Sequence, residues 1–441
     1  MTVLTESNYF TEYKILEESK MKKLLALLLV VAMVFAFAAC GESKKKGDDA
    51  AKVLSIDEVE KTVAAAITAI PKEELKVGFI FLHDENSTYD KNFIDAAKAA
   101  TAKLGLTEDQ VMMKTNIPEG NECYVAAQEL VGAGCDLIFA DSFGHEPHMI
   151  KAAKEFPDVQ FCHATGTRAQ TELVGNYHNA FASIYEGRYL AGIAAGMKLN
   201  QLIEEGKFTA AEAKIGYVGA FPYAEVISGY TSFYLGVRSV CPTVTMEVKY
   251  TNSWFDITAE NTAAKALIES GCKLISQHAD SSGAPSACEE AGIPNVAYNI
   301  NTSNIGPTTA LISSKISWEP YFEYILNCMI NGEAIKSDWT GTIATGSVLL
   351  TELNEAVAAP GTMDAINAAK AKLENGELKV FDTSKFTVKG APLTTYLADI
   401  VDMGDFVPDS EAIVDGRFIE SEKRSAPYFD LIIDGITVPQ Q

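Results

Sequence analysis

The sequence predicts an α/β chain of two similar parallel-sheet lobes behind an export signal. Three observations predict it. Short β-rich runs alternate with helical stretches, the pattern of βαβ units and a parallel sheet. One piece of that pattern recurs 137 residues later, from Leu130 to Leu267. The N-terminal region has the charge and hydropathy order of a secretory leader.

The leader comes first. Met21-Lys22-Lys23 is a positive start, Leu24–Ala39 an apolar run, and Phe37-Ala38-Ala39-Cys40 a small-residue close before Gly41. A Cys at such a cut resembles the bacterial lipobox, whose thiol is lipidated and becomes the mature N-terminus. Residues 1–39 are therefore expected to be a leader, beginning naturally at Met21, with Cys40 as the lipidation site. Residues 40–55 are expected to form a flexible tether, polar and carrying Lys44-Lys45-Lys46. The body would then sit on the outer face of the bacterial cell membrane as an exported lipoprotein.

The body follows in order. Strands are expected at Val77–Phe81, Val111–Thr115, Leu137–Ala140 and Val159–Cys162, with helices at Asn92–Lys103, Tyr124–Val131 and Pro147–Glu155 between them. A long helix, Ile184–Leu199, opens the second series. It continues with strands Ile215–Val218, Val244–Tyr250, Leu274–Ser276 and Asn295–Tyr298, and helices Val226–Val240 and Thr258–Ser270. The internal echo supports two related halves. Leu130–Ile138 leads to Asp141-Ser142 as Leu267–Ile275 leads to Asp280-Ser281, and Phe156–Phe161 parallels Ile293–Tyr298. In each half a Gly closes the helix. Facing parallel lobes bring their strand C-termini to one cleft, where ligands of such sheets bind.

Composition excludes several functions. Of 441 residues, 47% are apolar, enough for large cores, and the formal charge is −23. Nucleic acid is excluded as a main partner, since phosphate binding needs clustered Lys and Arg. Apart from the leader, no stretch is long enough to span a bilayer. The seven cysteines beyond Cys40 are odd in number and loosely spaced, so buried thiols are expected rather than disulfides or zinc. No phosphate-binding glycine loop, His-Glu-x-x-His or Gly-x-Ser-x-Gly occurs, and His145-Glu146-Pro147-His148 is interrupted by its proline. No catalytic residue, metal or cofactor is assigned. The loops are instead rich in flat rings and amide or carboxylate groups: Tyr89, Phe221, Tyr223, Trp254, Phe255 and Trp318, with Asp84, Gln277, Asp280, Asn299 and Asn301. Rings stack on planar ligands while carboxylates and amides read their polar edges. Core packing is the competing role for each ring, most evenly balanced for Phe221 and Phe255.

Several stretches resemble the basic membrane protein (BMP) family of lipoproteins: His163-Ala164-Thr165-Gly166, Tyr185–Gly192, Ile215–Pro222 with Glu225-Val226-Ile227, Asn252-Ser253-Trp254-Phe255-Asp256, and Gln277-His278-Ala279-Asp280-Ser281. The likeness runs from about Lys76 to Tyr321. It implies a type I periplasmic-binding-protein fold, an ABC importer with its permease as partner, and a purine nucleoside or nucleobase as ligand. It also implies a first lobe over 74–180 plus 302–345 and a second over 181–301 plus 346–390. Residues 391–441 would be a C-terminal extension packing on the lobes, and the hinge would lie near Asn179, Asn301 and Gly346. In this reading Tyr89 and Trp254 stack on the ligand, Asp84, Asp280 and Asn299 hydrogen-bond it, and Phe221, Gln277, His278 and Trp318 complete the cleft. The chain departs from the family at two loops. The first reads Asp84-Glu85-Asn86-Ser87-Thr88-Tyr89-Asp90, and the late strand ends Tyr298-Asn299-Ile300-Asn301 where related chains often carry two carboxylates. An uncharged base or another planar solute suits that change. Two rivals use the same fold or ligand: a ligand-sensing receptor lipoprotein, and a binding protein for a different solute. A nucleoside hydrolase would need an Asp-rich calcium site that the sequence lacks.

Overall fold

A computed structural model describes residues 67–400 and 410–439. The expected leader, Cys40 and the tether lie outside the described residues, as does part of the C-terminal extension.

The first lobe is built on a six-stranded sheet in the order β11-β5-β4-β3-β1-β2, every pairing parallel. Its strands are β1 (Val77–Ile80), β2 (Val111–Lys114), β3 (Leu137–Ala140), β4 (Gln160–Ala164), β5 (Tyr177–Ala182) and β11 (Asp338–Gly341). Helices α1 (Thr88–Leu104), α2 (Asn121–Gly132), α3 (Glu146–Glu155) and the single turn α4 (Ala169–Glu172) link the first five strands. The central strands are buried throughout, as expected of a parallel sheet covered on both faces. Phe79, Phe93 and Phe139 meet Phe322, Tyr321 and Trp318 in the core, with Phe139 edge-on to Phe322 at 4.8 Å.

The second lobe carries a seven-stranded sheet in the order β12-β10-β9-β8-β6-β7-β19. Its strands are β6 (Lys214–Gly219), β7 (Thr245–Tyr250), β8 (Leu274–His278), β9 (Asn295–Tyr298), β10 (Ala310–Ile316), β12 (Val348–Leu350) and β19 (Ile436–Thr437). Only the β10–β12 pairing is antiparallel. Helices α5 (Tyr185–Glu204), α6 (Ala224–Val240), α7 (Ile257–Glu269), α8 (Gly283–Ala291) and α10 (Thr362–Glu374) belong here, while α9 (Glu319–Asn331) packs on α1 of the first lobe. Strands β13–β18 are three two-residue hairpins between Thr387 and Phe418.

The sequence echo is visible in the backbone. Gly134 and Gly271 stand at matching helix ends with φ of 87° and 96°, a conformation open to glycine at little cost. All seven described cysteines are buried and free.

One boundary differs from expectation. Residues 302–345 were assigned to the first lobe, but Ala310–Ile316 pairs with β9, Ser313 opposite Ala297 and Ser314 opposite Tyr298. The second sheet is thus completed before the chain returns through α9 to lay β11 beside β5. The chain therefore passes between lobes at Ser183-Ile184, at Ser317-Trp318 and over 342–347. The second passage lies beyond the expected Asn301, and the third contains Gly346.

Candidate functional site

The cleft residues stand where strands end. Helix α1 starts four residues earlier than its apolar pattern suggested, because Ser87 caps it, its hydroxyl accepting from Asp90 N at 3.2 Å. That places Tyr89 on the first helical turn, facing the cleft, with its hydroxyl donating to Asp141 O at 2.7 Å. From the first lobe, Leu82, Tyr89, Ser142, Phe143 and Thr165 line a cavity between the lobes; from the second come Glu225, Trp254, His278 and Asp280. The empty space within this lining, its open mouth included, is about 330 Å³.

The lobes touch around it. Thr88 N, one of the donors that a helix start leaves unpaired, reaches Asp280 O of the other lobe at 2.8 Å. The rings of His83 and Phe255 lie 5.4 Å apart, and those of Phe143 and Tyr223 5.7 Å apart. The cavity is thus closed by contacts from both sides.

Its polar groups are mostly held uncharged by burial. Burial pushes the His278 imidazole down to about 4, and the Arg188 guanidinium adds to the effect. In the contact of His278 Nε2 with Glu225 Oε1 at 3.3 Å, a neutral ring therefore donates to the carboxylate. Burial, then Glu260, Asp90 and Glu225, drive the Asp280 carboxyl well above its ordinary range. Asp141 is raised in the same way by burial and by Asp90. For Asp90, burial is outweighed by hydrogen bonds from His83 and Ser87, and its carboxyl is lowered. The Asp90–Asp141 pair thus carries its charge on Asp90. Behind His278 lies Arg188, 1% exposed, its guanidinium 3.6 Å from the centre of the Tyr298 ring and Nη1 donating to Gln277 O at 2.7 Å. Nε and Nη2 of Arg188 have no protein partner.

Of the residues expected from sequence, Tyr89, Trp254, His278 and Asp280 meet at the cavity. Phe221 supports it from behind, stacked on Tyr223 at 5.1 Å and edge-on to Trp254 at 5.2 Å. Gln277 does not line the cavity; its amide donates to Ala279 O and Ser281 O and so shapes the loop bearing Asp280. Asp84 is turned to its own loop, accepting from Asn86 N at 3.0 Å and Nδ2 at 2.8 Å. Those bonds hold its carboxyl below the ordinary range. Asn299 is buried in a left-handed conformation with its amide nitrogen unpartnered, outside the cavity wall. Trp318 is a correction: it is 1% exposed and stacked on Phe93 at 4.3 Å in the first-lobe core. Ser142, Phe143, Thr165 and Glu225 were missed. The signal was present, because Asp141-Ser142 ends the first copy of the echo as Asp280-Ser281 ends the second.

Among the described residues, no group of three or more His, Cys, Asp or Glu is placed to hold a metal ion, and no helix is long and apolar enough to cross a membrane. Ring faces and hydrogen-bonding edges between two lobes are the arrangement of a solute-binding protein. The family model described as ABC transporter substrate-binding protein PnrA-like matches residues 80–383, and the chain belongs to that family. Among curated proteins, it is 35% identical over 254 residues to a purine-binding protein of Brucella abortus (strain 2308), covering 57% of this chain and 67% of that one. It is 36% identical over 251 residues to a putative ABC transporter glucose-binding protein of Haloferax volcanii, covering 57% and 60%. In structure it resembles an ABC transporter solute-binding protein from Aeropyrum pernix K1, with a TM-score of 0.60 at 17% identity over 70% of this chain and 93% of that one.

Proposed function

We propose that the chain captures a purine base or nucleoside between its lobes and delivers it to an ABC permease. The observation that carries this is the wall of the cavity: rings of Tyr89, Phe143 and Trp254 beside the polar edges of Glu225, His278 and Asp280. A planar heterocycle offers faces to the first set and N–H and ring-nitrogen groups to the second. The purine-binding relative from Brucella abortus supports the ligand class. The body is held outside the membrane by lipid on Cys40, and a Cys40→Ser chain would be released from membranes into the soluble fraction. Glucose is the second reading, favoured by the name of the Haloferax volcanii relative; a sugar also stacks on Trp and bonds to carboxylates.

A thermal-shift screen of the purified chain with adenine, guanine, hypoxanthine, their nucleosides and glucose separates the two. A ligand at 100 times its Kd adds about 2.7 kcal/mol of stability. A shift with one or more purines is expected. A shift with glucose and none with any purine would overturn the assignment.

A further inference from the structure

The family match ends at residue 383, and the chain beyond it does something the lobes alone do not require. It stays on the second lobe at first, where Phe381 packs on Tyr185 of α5 at 5.3 Å and Lys385 O accepts from Arg238 Nη2 of α6. It finishes there too: Asp434 N donates to Thr387 O at 2.8 Å, and Ile436 pairs with Met246 of β7. Between these runs it reaches across. Glu420 accepts from Ser228 Oγ on α6, in the second lobe. Ser421 Oγ meets Ser183 Oγ at 3.1 Å, on the first passage between lobes. Lys423 O then accepts from Gln170 Nε2 at 2.9 Å, in the first lobe. Ser425 N donates to Asp338 Oδ2 at 2.6 Å, while its hydroxyl donates to Asp338 Oδ1 and accepts from Asn179 Nδ2 at 3.0 Å. Ser421 and Ser425 are 4% and 0% exposed, so these are interior bonds, and a partner left buried and unpaired is penalised.

The chain thus crosses between lobes a fourth and a fifth time, beside the three passages of the hinge. We propose that residues 420–425 are a strap that fastens the lobes together at the hinge and limits how far they open, so that it slows exchange of the ligand. Ser425 and Gln170 act as positioning residues; neither lines the cavity. The strap rests on the reading that solute binds between the lobes, but its effect on opening is measurable without any ligand.

The test is an inter-lobe distance by pulsed electron spin resonance on the full chain. Spin labels go on Val125→Cys in α2 and Thr262→Cys in α7, both exposed, and the seven described native cysteines are buried. Without ligand, the otherwise unaltered chain should give a single narrow distance. The Gln170→Ala/Ser425→Ala chain should add a longer one, with the open-to-closed ratio raised at least about tenfold for three lost side-chain hydrogen bonds. Ser228→Ala, which releases the other anchor, should broaden the distribution in the same direction and covers the case in which the double variant does not fold. With adenine as probe, the dissociation rate should rise alongside. Distance distributions that superimpose on the unaltered chain, whatever happens to the melting temperature, would overturn the strap. Failure of adenine to bind any of these chains counts against the ligand assignment and leaves the distances to decide the strap.

Discussion

Trp254 and Trp318 show how one residue type takes two roles by position. Both follow strands and both were expected in the cleft. Trp254 stands among Asn252, Ser253 and Asp256 in a polar loop after β7, backed by Phe221 and Tyr223, and it lines the cavity. Trp318 precedes α9, and its ring is drawn onto Phe93 by the apolar face of Tyr321, Phe322 and Ile325. The local sequence of Trp318 does not reveal this, because Phe93 is supplied from more than 200 residues away. The two therefore respond differently to truncation. Trp254→Ala should weaken purine binding roughly tenfold to a hundredfold, since base–ring stacking is worth about 1–3 kcal/mol, and leave the melting temperature nearly unchanged. Trp318→Ala should cost about 3–5 kcal/mol of stability. Calorimetric titration and thermal melts of both variants check the pair, and equal losses of stability would refute the distinction.

At the scale of elements, α5 and α6 approach until backbone meets backbone. A Cβ on Gly192 would overlap Phe233 O, and one on Gly236 would overlap Tyr189 O. The richness of Ile184–Leu199 in small residues was legible in the sequence; its partner and the reason for the glycines were not, because close approach is a property of two helices together. Gly236→Ala should destabilise the chain by about 1–3 kcal/mol through overpacking against a carbonyl that cannot move aside. Urea unfolding should show a lower midpoint with an unchanged slope; an unchanged midpoint would mean that the helices separate freely. Helix starts were the weaker part of the reading for a related reason. The apolar pattern of α1 begins near Asn92, whereas its Ser87 cap and Asp90 begin it at Thr88, and this is what turns Tyr89 into the cleft.

At the scale of the whole molecule, the two-lobe plan was legible because its signals are periodic and repeated, down to the glycines at 134 and 271. The return path was not, since nothing in Ala310–Ile316 states which sheet it will join; Tyr298 and Ala297 decide it by pairing. The same long-range assembly buries many ionisable groups at once, and this sets the response to pH. Burial depresses His145, His163, His178 and His278 to about 4. These rings are neutral in the folded chain, so their contribution is present above the ordinary histidine range near 6.5 and is lost as pH falls toward 4. Burial raises Glu260 and Glu420 to about 7 and Asp338 to about 6. Their contribution has the opposite sign: it is full below about 4.5 and is lost as pH rises through 6 to 7. Between pH 4.5 and 6.5 the two sets offset each other, whereas above 6.5 only the carboxyls still titrate. Stability should therefore be greatest at mildly acidic pH and fall between pH 6.5 and 8, by on the order of 1 kcal/mol for each of Glu260 and Glu420, or a few °C in melting temperature. Glu260→Gln/Glu420→Gln keeps an acceptor for Ser281 N and for Ser228 Oγ while removing both charges, so it should flatten that decline and leave the acid limb, set by the histidines, in place. Thermal melts from pH 4 to 8 on the unaltered chain and the double variant decide it: a melting temperature that climbs steadily to pH 8 in the unaltered chain would show that the buried carboxyls do not govern its stability.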